Sequence, residues 1–478
     1  KLSADYLHEN TLSRPYDRAY YYDPDGKGND HDVSNTLIFQ WTHTLGSSTF
    51  YTIGASIFNK DFQHYLYGDP HDIRYVDPAL TIPITIYSFN TGGTDMNRFH
   101  RTTTTALAKF DLSSQVNQTN LLKGGIEYRR HRVFREDITL VPALDQTGAV
   151  FPYIRTEIPA DTGLFHNVYT HRPKELSAYV QDKMEFKNFI MNVGVRFDYF
   201  EPDGMVLNDD PTTDASGIAT HNTVDDPEIY DPIKPWNQNK TLEERFSYWY
   251  KKAKAKWQFS PRIGASFPIT AEGVVHFSYG YFFQIPRFER LYENPDFKLG
   301  KGTGNQGLVG NADLEPEQTV NGEIGVQQQV SDGVSVDLTA YMRDIRNLTG
   351  TGINDEIIVF RGAKKYSRYV NRDFGTVKGI VLSLNKRFSG GFSSTVDYTY
   401  QIARGSSSDP TQTRNAVLGG QLPEVQLVPL DWDQRHTLNV AASYDSHPWG
   451  VSLIGQYGSG SPYTPFSTVD ISTLLTNS

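Results

Sequence analysis

The chain has 478 residues, 38% of them hydrophobic, with a formal net charge of -10 at pH 7 and no cysteine. No stretch approaches the ~20 apolar residues of a membrane helix, the missing cysteines exclude a disulfide scaffold or a thiolate metal or redox site, and the negative balance argues against a nucleic-acid partner, which needs a basic surface. Aromatic residues reach 13%, including 29 Tyr and 27 Phe, a profile that suits a β-barrel wall, where only every second residue meets lipid and aromatic girdles mark both interfaces.

The opening, KLSADYLHEN, reads as a strand near residues 1 to 8 and lacks the charged start and apolar run of a signal peptide, so any targeting segment is expected upstream or already removed. Next comes DPDGKGNDHD, which sets Asp23, Asp25, Asn29, Asp30 and Asp32 around Gly26 and Gly28. Hard oxygen ligands on a Gly-bent loop suit calcium, and Asp23, Asp25, Asn29 and Asp30 are the candidate ligands. An EF-hand-like loop wants Asp or Asn in place of Lys27 and Glu in place of Ser34. The alternative is an acidic external loop kept soluble by its charge, and the acidic segment carrying Asp209, Asp210, Asp214, Asp225 and Asp226 invites the same two readings.

Compact turn signals then recur at Leu45-Gly46-Ser47-Ser48, Val116-Asn117-Gln118, Lys187-Asn188, Thr270-Ala271-Glu272-Gly273, Ser331-Asp332-Gly333, Ser389-Gly390-Gly391 and Ser446-His447-Pro448, each flanked by β-rich sequence. Between them lie long polar segments near residues 65–96, 137–173, 201–253, 287–317, 345–375 and 404–432. A soluble sandwich has no reason to put every short turn at one end and every long loop at the other; a bacterial outer-membrane barrel does. The strands alternate accordingly. In SDGVSVDLTAYMRDI, Val334, Val336, Leu338, Ala340 and Met342 share one face while Ser335, Asp337, Thr339, Tyr341 and Arg343 share the other, so the first set is expected to face lipid and the second the lumen. Trp449, Val451 and Leu453 are assigned to lipid on the same grounds. In ELSAYVQDKMEFK, Asp182 interrupts an apolar face, which calls for a bulge, a slipped register or a protein-covered wall. Periodicity alone does not separate this reading from a large soluble all-β protein.

At NADLEPEQTVNGEIGVQQQ the sequence resembles the barrel of TonB-dependent outer-membrane receptors, through Asn311, Asp313, Leu314, Pro316 and Glu317, then Glu323 and Gly325, with an earlier version at Asn294-Pro295-Asp296-Phe297-Lys298. Ser260-Pro261-Arg262, Tyr279-Gly280 and Pro286 upstream, and Asp433-Gln434-Arg435-His436 downstream, match further family segments in family order. The subtype looks like the large Bacteroidetes-type, SusC-like receptors that carry a carboxypeptidase-regulatory-like domain. The resemblance implies an all-β antiparallel transmembrane β-barrel with long extracellular loops and short periplasmic turns. About 14 to 15 strands of a likely 22 are present in this reading, and residues 1–478 form a partial barrel domain without plug, first strands or closing strands. It also implies uptake of a scarce nutrient (siderophore, oligosaccharide or peptide), with outer-membrane lipid, the TonB complex acting through the missing plug region, and a surface lipoprotein as partners. The alternative is a passive pore or an anchoring platform for a surface assembly.

No Gly-x-Ser-x-Gly, His-Glu-x-x-His or Walker-type loop is present, so no catalytic residue and no cofactor site is assigned. His64 and His71 are the nearest approach to a metal pair and read as a solvated loop. Two aromatic stretches, YFFQIPRFERLYENPDF and KTLEERFSYWYKKAKAKW, are able to stack on a ligand or to anchor the rim at the membrane interface.

Overall fold

The computed structural model describes residues 1–78, 89–90, 92–144, 147–148, 155–161, 163, 165–207, 238, 240–295, 308–351, 357–359, 364–418 and 426–463. Among them, one antiparallel wall runs in strict chain order: β1 (Leu2–Ser13), β2 (Asn29–Thr44), β3 (Thr49–Tyr65), β4 (Asn97–Gln115), β5 (Asn120–Thr139), β6 (Lys174–Glu185), β7 (Ile190–Glu201), β8 (Lys256–Pro268), β9 (Gly273–Gln284), β10 (Glu317–Ser331), β11 (Val334–Thr351), β12 (Lys364–Ser389), β13 (Phe392–Gly405), β14 (His436–Ser446) and β15 (Trp449–Gly458). Each strand pairs with the next. A meander of this kind lets every backbone N–H and C=O in the membrane find its partner on a neighbouring strand. Among the described residues no ladder joins β1 to β15.

All seven compact turns read from the sequence are hairpins at one end of the wall. In the two-residue turn Asp332-Gly333, Gly333 lies at φ +77, where an L side chain is disfavoured, and Gly390 (φ +63) and Gly391 (φ +79) do the same between β12 and β13. The other end carries the long connections.

Register fixes the faces. Val275, Val326, Leu338, Leu382, Tyr398, Leu438 and Tyr457 lie side by side across seven strands. Leu338 and Met342 are about half exposed, whereas Thr339 donates to Asp337 (2.8 Å) and Tyr341 to Gln401 (3.1 Å) on the opposite face. An apolar row with open space in front of it and a hydrogen-bonded row behind it is the lipid-and-lumen arrangement expected from the alternation. Trp449 (76% exposed), Val451 and Leu453 belong to the same outward face.

Three expectations are corrected. β1 continues to Ser13 rather than ending near residue 8. The loop read over residues 345–375 is shorter, because β11 runs to Thr351 and β12 starts at Lys364, pairing Leu348 with Asp373 and Thr351 with Tyr369 after a register shift beyond Ile345. Above the membrane both faces turn polar, so the ladder persists after the alternation that reveals it has vanished. Asp182 needs no bulge: β6 keeps regular register with β5 and β7, and Asp182, four residues from the turn that follows Phe186, accepts from Asn120 Nδ2 at 2.7 Å at the periplasmic edge.

Buried side chains are scarce in the wall and gather where the long connections fold over the upper strands. The largest cluster includes Val133, Tyr169, Phe200, Leu291, Tyr292 and Leu314. Each such apolar side chain contributes about 1.5 to 3 kcal/mol by leaving water. A second cluster of Leu66, Tyr75, Met96, Ile138 and Leu140 ties the 66–96 connection to β5. The mouth is therefore the packed part of the molecule.

Candidate functional site: the barrel mouth and lumen

A strand crosses the membrane in about 9 to 11 residues, so β4 and β5, measured from their shared turn, have left the hydrocarbon by Arg101 and Val133. Into this upper space drops the segment after β9. The residues Phe288–Tyr292 form a one-turn helix that is far too short to be stable alone and is held by what it touches. Glu289 Oε1 accepts from Arg101 Nη1 on β4 at 2.7 Å, Phe288 meets the ring of His131 on β5 edge-on at 5.2 Å, and Tyr292 stacks on His171 at 4.0 Å while its hydroxyl donates to the Pro202 carbonyl.

The resemblance motif is the clasp for this helix. Gly310 N–H donates to the Glu293 carbonyl (2.7 Å) and Asn311 N–H to the Arg290 carbonyl (2.9 Å). Asn311 Nδ2 reaches the Tyr369 carbonyl on β12 (2.9 Å), and Glu315 exchanges two 2.7 Å hydrogen bonds with Asn371. Ala312 and Leu314 are fully buried beneath. A Cβ on Gly310 would lie 2.5 Å from the Glu293 nitrogen and 2.9 Å from the Leu291 carbonyl oxygen, both backbone atoms that have no rotamer to change. Gly310→Ala is expected to cost about 1 to 3 kcal/mol of local stability. Hydrogen exchange checks it: amides of residues 288–293 lose protection while those of β14 do not.

The mouth is charged as well as packed. Arg135 Nε donates to Asp137 at 2.7 Å, Glu293 accepts from the Tyr369 hydroxyl at 3.1 Å, and Arg290 lies 3.7 Å from Glu317. Burial raises the Glu293 carboxyl above its ordinary range, and it raises Asp137 even against the pull of Arg135. Burial also pushes the Tyr169 hydroxyl up to about 12. Burial works against charge on Arg135, but the Asp137 carboxylate outweighs it and its guanidinium stays above the usual value. Between Phe58, Lys60, Arg101, Tyr169, Phe288 and Glu289 lies a recess of about 260 Å³ whose walls offer aromatic faces and charged donors together.

Deeper on the lumenal face a larger recess of about 470 Å³ is lined by Lys123, Tyr179, Arg196, Arg262, Phe282 and Asn321. It exists because Gly194, Gly264 and Gly280 bring bare backbone to the lumen where neighbouring positions carry long side chains. Arg262 lies over the Phe282 ring at 4.4 Å, Arg196 Nε donates to Asp198 at 2.8 Å, and the Tyr179 hydroxyl donates to Asp111 at 2.9 Å. Among the described residues Lys123 and Arg262 form no ion pair, so this recess is cationic within an acidic chain. Guanidinium and aromatic faces together suit a planar or anionic ligand.

The structure does not gather the candidate calcium ligands into one cage. Asp25 accepts from Arg14 Nη1 (2.9 Å) and Asn29 from Arg14 Nε (2.8 Å), Asp30 pairs with His64 Nδ1 (2.6 Å), and Asp23 precedes the turn Pro24–Gly26 with no side-chain capping bond. Among the described residues no group of three His, Asp or Glu side chains is arranged to hold a metal. Gly26 and Gly28 serve packing instead: a Cβ on Gly26 would lie 2.7 Å from the Gly93 oxygen, and one on Gly28 would lie 2.5 Å from the His64 ring. His71 does not join His64; its Nδ1 meets the Thr156 carbonyl at 2.7 Å. Asp209, Asp210, Asp214, Asp225, Asp226 and Asp296 lie outside the described residues.

Sequence reasoning passed over Asp95, whose side chain is 2% exposed and binds Lys27 Nζ (2.9 Å) and His64 Nε2 (3.0 Å). No local pattern announces it, since its partners lie 68 and 31 residues away. In the KTLEERFSYWY stretch the structure shows a helix, Leu242–Trp249, opened by a reciprocal cap in which Glu244 N–H donates to Thr241 Oγ1 (3.2 Å) and Thr241 N–H to Glu244 Oε2 (2.7 Å).

A meandering antiparallel wall with one apolar face, a polar lumen and a clasped mouth is the architecture of an outer-membrane β-barrel. Residues 2–475 match the family described as TonB dependent receptor-like, beta-barrel, and the chain belongs to that family. Among solved structures it is similar in fold to the outer membrane transporter YddB from Escherichia coli (TM-score 0.61, 11% identity, 96% of this chain and 54% of that one). It is also similar to the ferric-catecholate import receptor Fiu from K12 E. coli (0.54, 14%, 96% and 62%) and to the FrpB iron transporter from Neisseria meningitidis (0.53, 13%, 93% and 55%). The chain thus spans between about half and three-fifths of the length of these structures. No curated protein matches it by sequence.

Proposed function

We propose that this chain forms the barrel wall of a receptor that takes up a scarce nutrient across the outer membrane, with energy delivered through TonB, and that the nutrient is anionic. The observation that carries the reading is the cationic, aromatic recess at Lys123, Arg196, Arg262 and Phe282, lying in the lumen below a mouth already crossed by the Phe288–Tyr292 helix. A cationic recess alone would also suit an anion-selective pore; the clasped helix across the entrance is what favours gated uptake over free passage. The fold is that of proteins described as an iron transporter and a ferric-catecholate import receptor, which supports a metal chelate or similar anion ahead of a neutral sugar. The SusC-like subtype, with a surface lipoprotein as partner, belongs to the same proposal on the family motifs alone, and co-purification of a lipoprotein with the intact protein tests it.

Uptake in cells deleted for the gene and complemented with it decides the main point, with iron-55-labelled catecholate and hydroxamate siderophores and fluorescent oligosaccharides as probes. The expected result is accumulation of an anionic chelate that stops when a protonophore removes the proton gradient and falls about tenfold, equivalent to 1.4 kcal/mol, in the Lys123→Ala/Arg262→Ala variant. Flux that ignores the protonophore supports a pore instead.

A further inference from the structure

Three registered rows cross the outward face of β2 to β5. The lowest runs Phe39, Ala55, Ala108, Tyr128, and the next Leu37, Ile57, Ala106, Arg130. The third is polar: Asn35, Asn59, Thr104 and Arg132, with Asn59 Nδ2 donating to Thr104 Oγ1 at 2.9 Å. Large side chains on β2 and β5 thus flank a low floor made by Ala55, Ala106 and Ala108, with Ile57 of β3 standing beside Ala106. The result is a groove of about 300 Å³ on the face turned to lipid, apolar along its length and closed at its upper end by Arg130. Neighbouring strands lie about 4.8 Å apart, so a floor two strands wide at Ala55 and Ala108, narrowing to Ala106 beside Ile57, admits a single extended hydrocarbon chain.

Height gives the groove its meaning. Arg130 and Arg132 come ten and twelve residues after Asn120, where β5 leaves the periplasmic turn. A tilted strand spends about 9 to 11 residues in the bilayer, which puts both guanidinium groups at the headgroups of the outer leaflet. Both are exposed, and among the described residues neither forms an ion pair. The outward carboxylate one row above, Asp61, is already engaged by His100 Nε2 (2.8 Å), Thr102 Oγ1 (2.8 Å) and Gln63 Nε2 (2.7 Å), and Lys174, opposite Arg130 on β6, is taken by Glu201 (3.2 Å). Two adjacent guanidinium groups without a counter-charge repel each other unless an anion sits between them, and phosphate is the anion their forked donors fit.

We infer that this groove is a binding site for a phosphorylated, acylated lipid of the outer leaflet, one acyl chain lying on the alanine floor and the phosphate held by Arg130 and Arg132. The site lies outside the lumen and stands whether or not the uptake reading does.

Native mass spectrometry of the intact protein in detergent micelles tests it, titrated in turn with bis-phosphorylated lipid A, dephosphorylated lipid A and phosphatidylethanolamine. The expected result is one tightly held lipid A, weakened about tenfold by dephosphorylation or by Arg130→Gln/Arg132→Gln and displaced by Ala106→Trp, which fills the floor. Lys378→Gln, an outward cation on β12, leaves retention unchanged. All of these positions face lipid, so unchanged heat-modifiable mobility on gels certifies folding. Equal retention of the phosphorylated and dephosphorylated lipids, or retention untouched by the arginine pair or by Ala106→Trp, overturns the inference.

Discussion

Leu338→Arg is expected to cost the barrel about 2 to 4 kcal/mol, and Thr339→Arg far less. The two positions are adjacent in sequence, yet Leu338 sits between Val326 and Leu382 in a row that looks out into hydrocarbon, while Thr339 points into the lumen beside Asp337 and His276. A guanidinium at the first must be dragged to the interface or stripped of water; at the second it keeps its water and gains a carboxylate neighbour. Leu338 lies five residues beyond the Asp332-Gly333 turn, near the middle of a crossing that takes about 9 to 11 residues, so snorkelling gives little relief. Reversible urea unfolding in lipid vesicles reads the difference. Equal costs at the two positions would mean that the faces are assigned wrongly.

Asp95→Asn is expected to loosen the whole extracellular layer around β2 and β3, by about 3 kcal/mol, because it leaves Lys27 and His64 part-buried without their shared counter-charge. Around this knot stand Asp30 on the far side of His64 (2.6 Å), Asp17 beside Lys27 (3.6 Å) and the Tyr20 ring (5.6 Å). His64 is the sixteenth residue of β3 and lies above the membrane. Burial opposes ionisation of Asp95, but the hydrogen bonds from His64 and Lys27 overcome it and hold the carboxyl well below the ordinary range. Its hydrogen bond to Asp95 lifts His64 above its usual value. The Asp95 contribution is therefore complete above its unfolded value of about 3.9 and fades as pH falls through the lowered folded one. That of His64 is complete below its unfolded value of about 6.5 and fades as pH rises through the raised folded one. The knot is tightest between about pH 4 and 6.5. Hydrogen-exchange protection of residues 27–30 and 94–97, corrected for intrinsic rates, should decline from pH 6 toward pH 9 in the native protein and change little in Asp95→Asn. A native profile as flat as the variant's would count against the knot.

What the sequence made legible followed from local rules. Every periplasmic hairpin was readable because a tight turn needs particular residues at fixed positions, as at Asp332-Gly333, and the lipid face was readable because hydrocarbon tolerates one kind of side chain at every second position. Above the membrane that constraint lapses, which is why the upper parts of β11 and β12 read as a loop although Thr351 still pairs with Tyr369. The acidic stretch around Asp25 and Asp30 suggested calcium because sequence shows carboxylates and hides their partners. Arg14 is near in the chain, but His64 reaches Asp30 only through the register of β2 on β3. The family motif at Asn311 to Glu317 was visible as an entry to a strand. Its part in clasping the Phe288–Tyr292 helix was not, since that depends on Gly310 meeting the Glu293 carbonyl across an intervening segment and on Asn371 arriving from β12.

The central claim is a lipid-facing and a lumen-facing side to one continuous wall, and the absence of cysteine from this chain makes it directly testable. Single cysteines placed in turn at positions 334 to 343 of the protein in native outer membranes would be scored for reaction with a charged, membrane-impermeant maleimide and for quenching by a lipid-borne probe. The account predicts a strict period of two, with 335, 337, 339, 341 and 343 reached from water and 334, 336, 338, 340 and 342 reached from lipid. Water-side labelling at every position, or a period near 3.6, would contradict it.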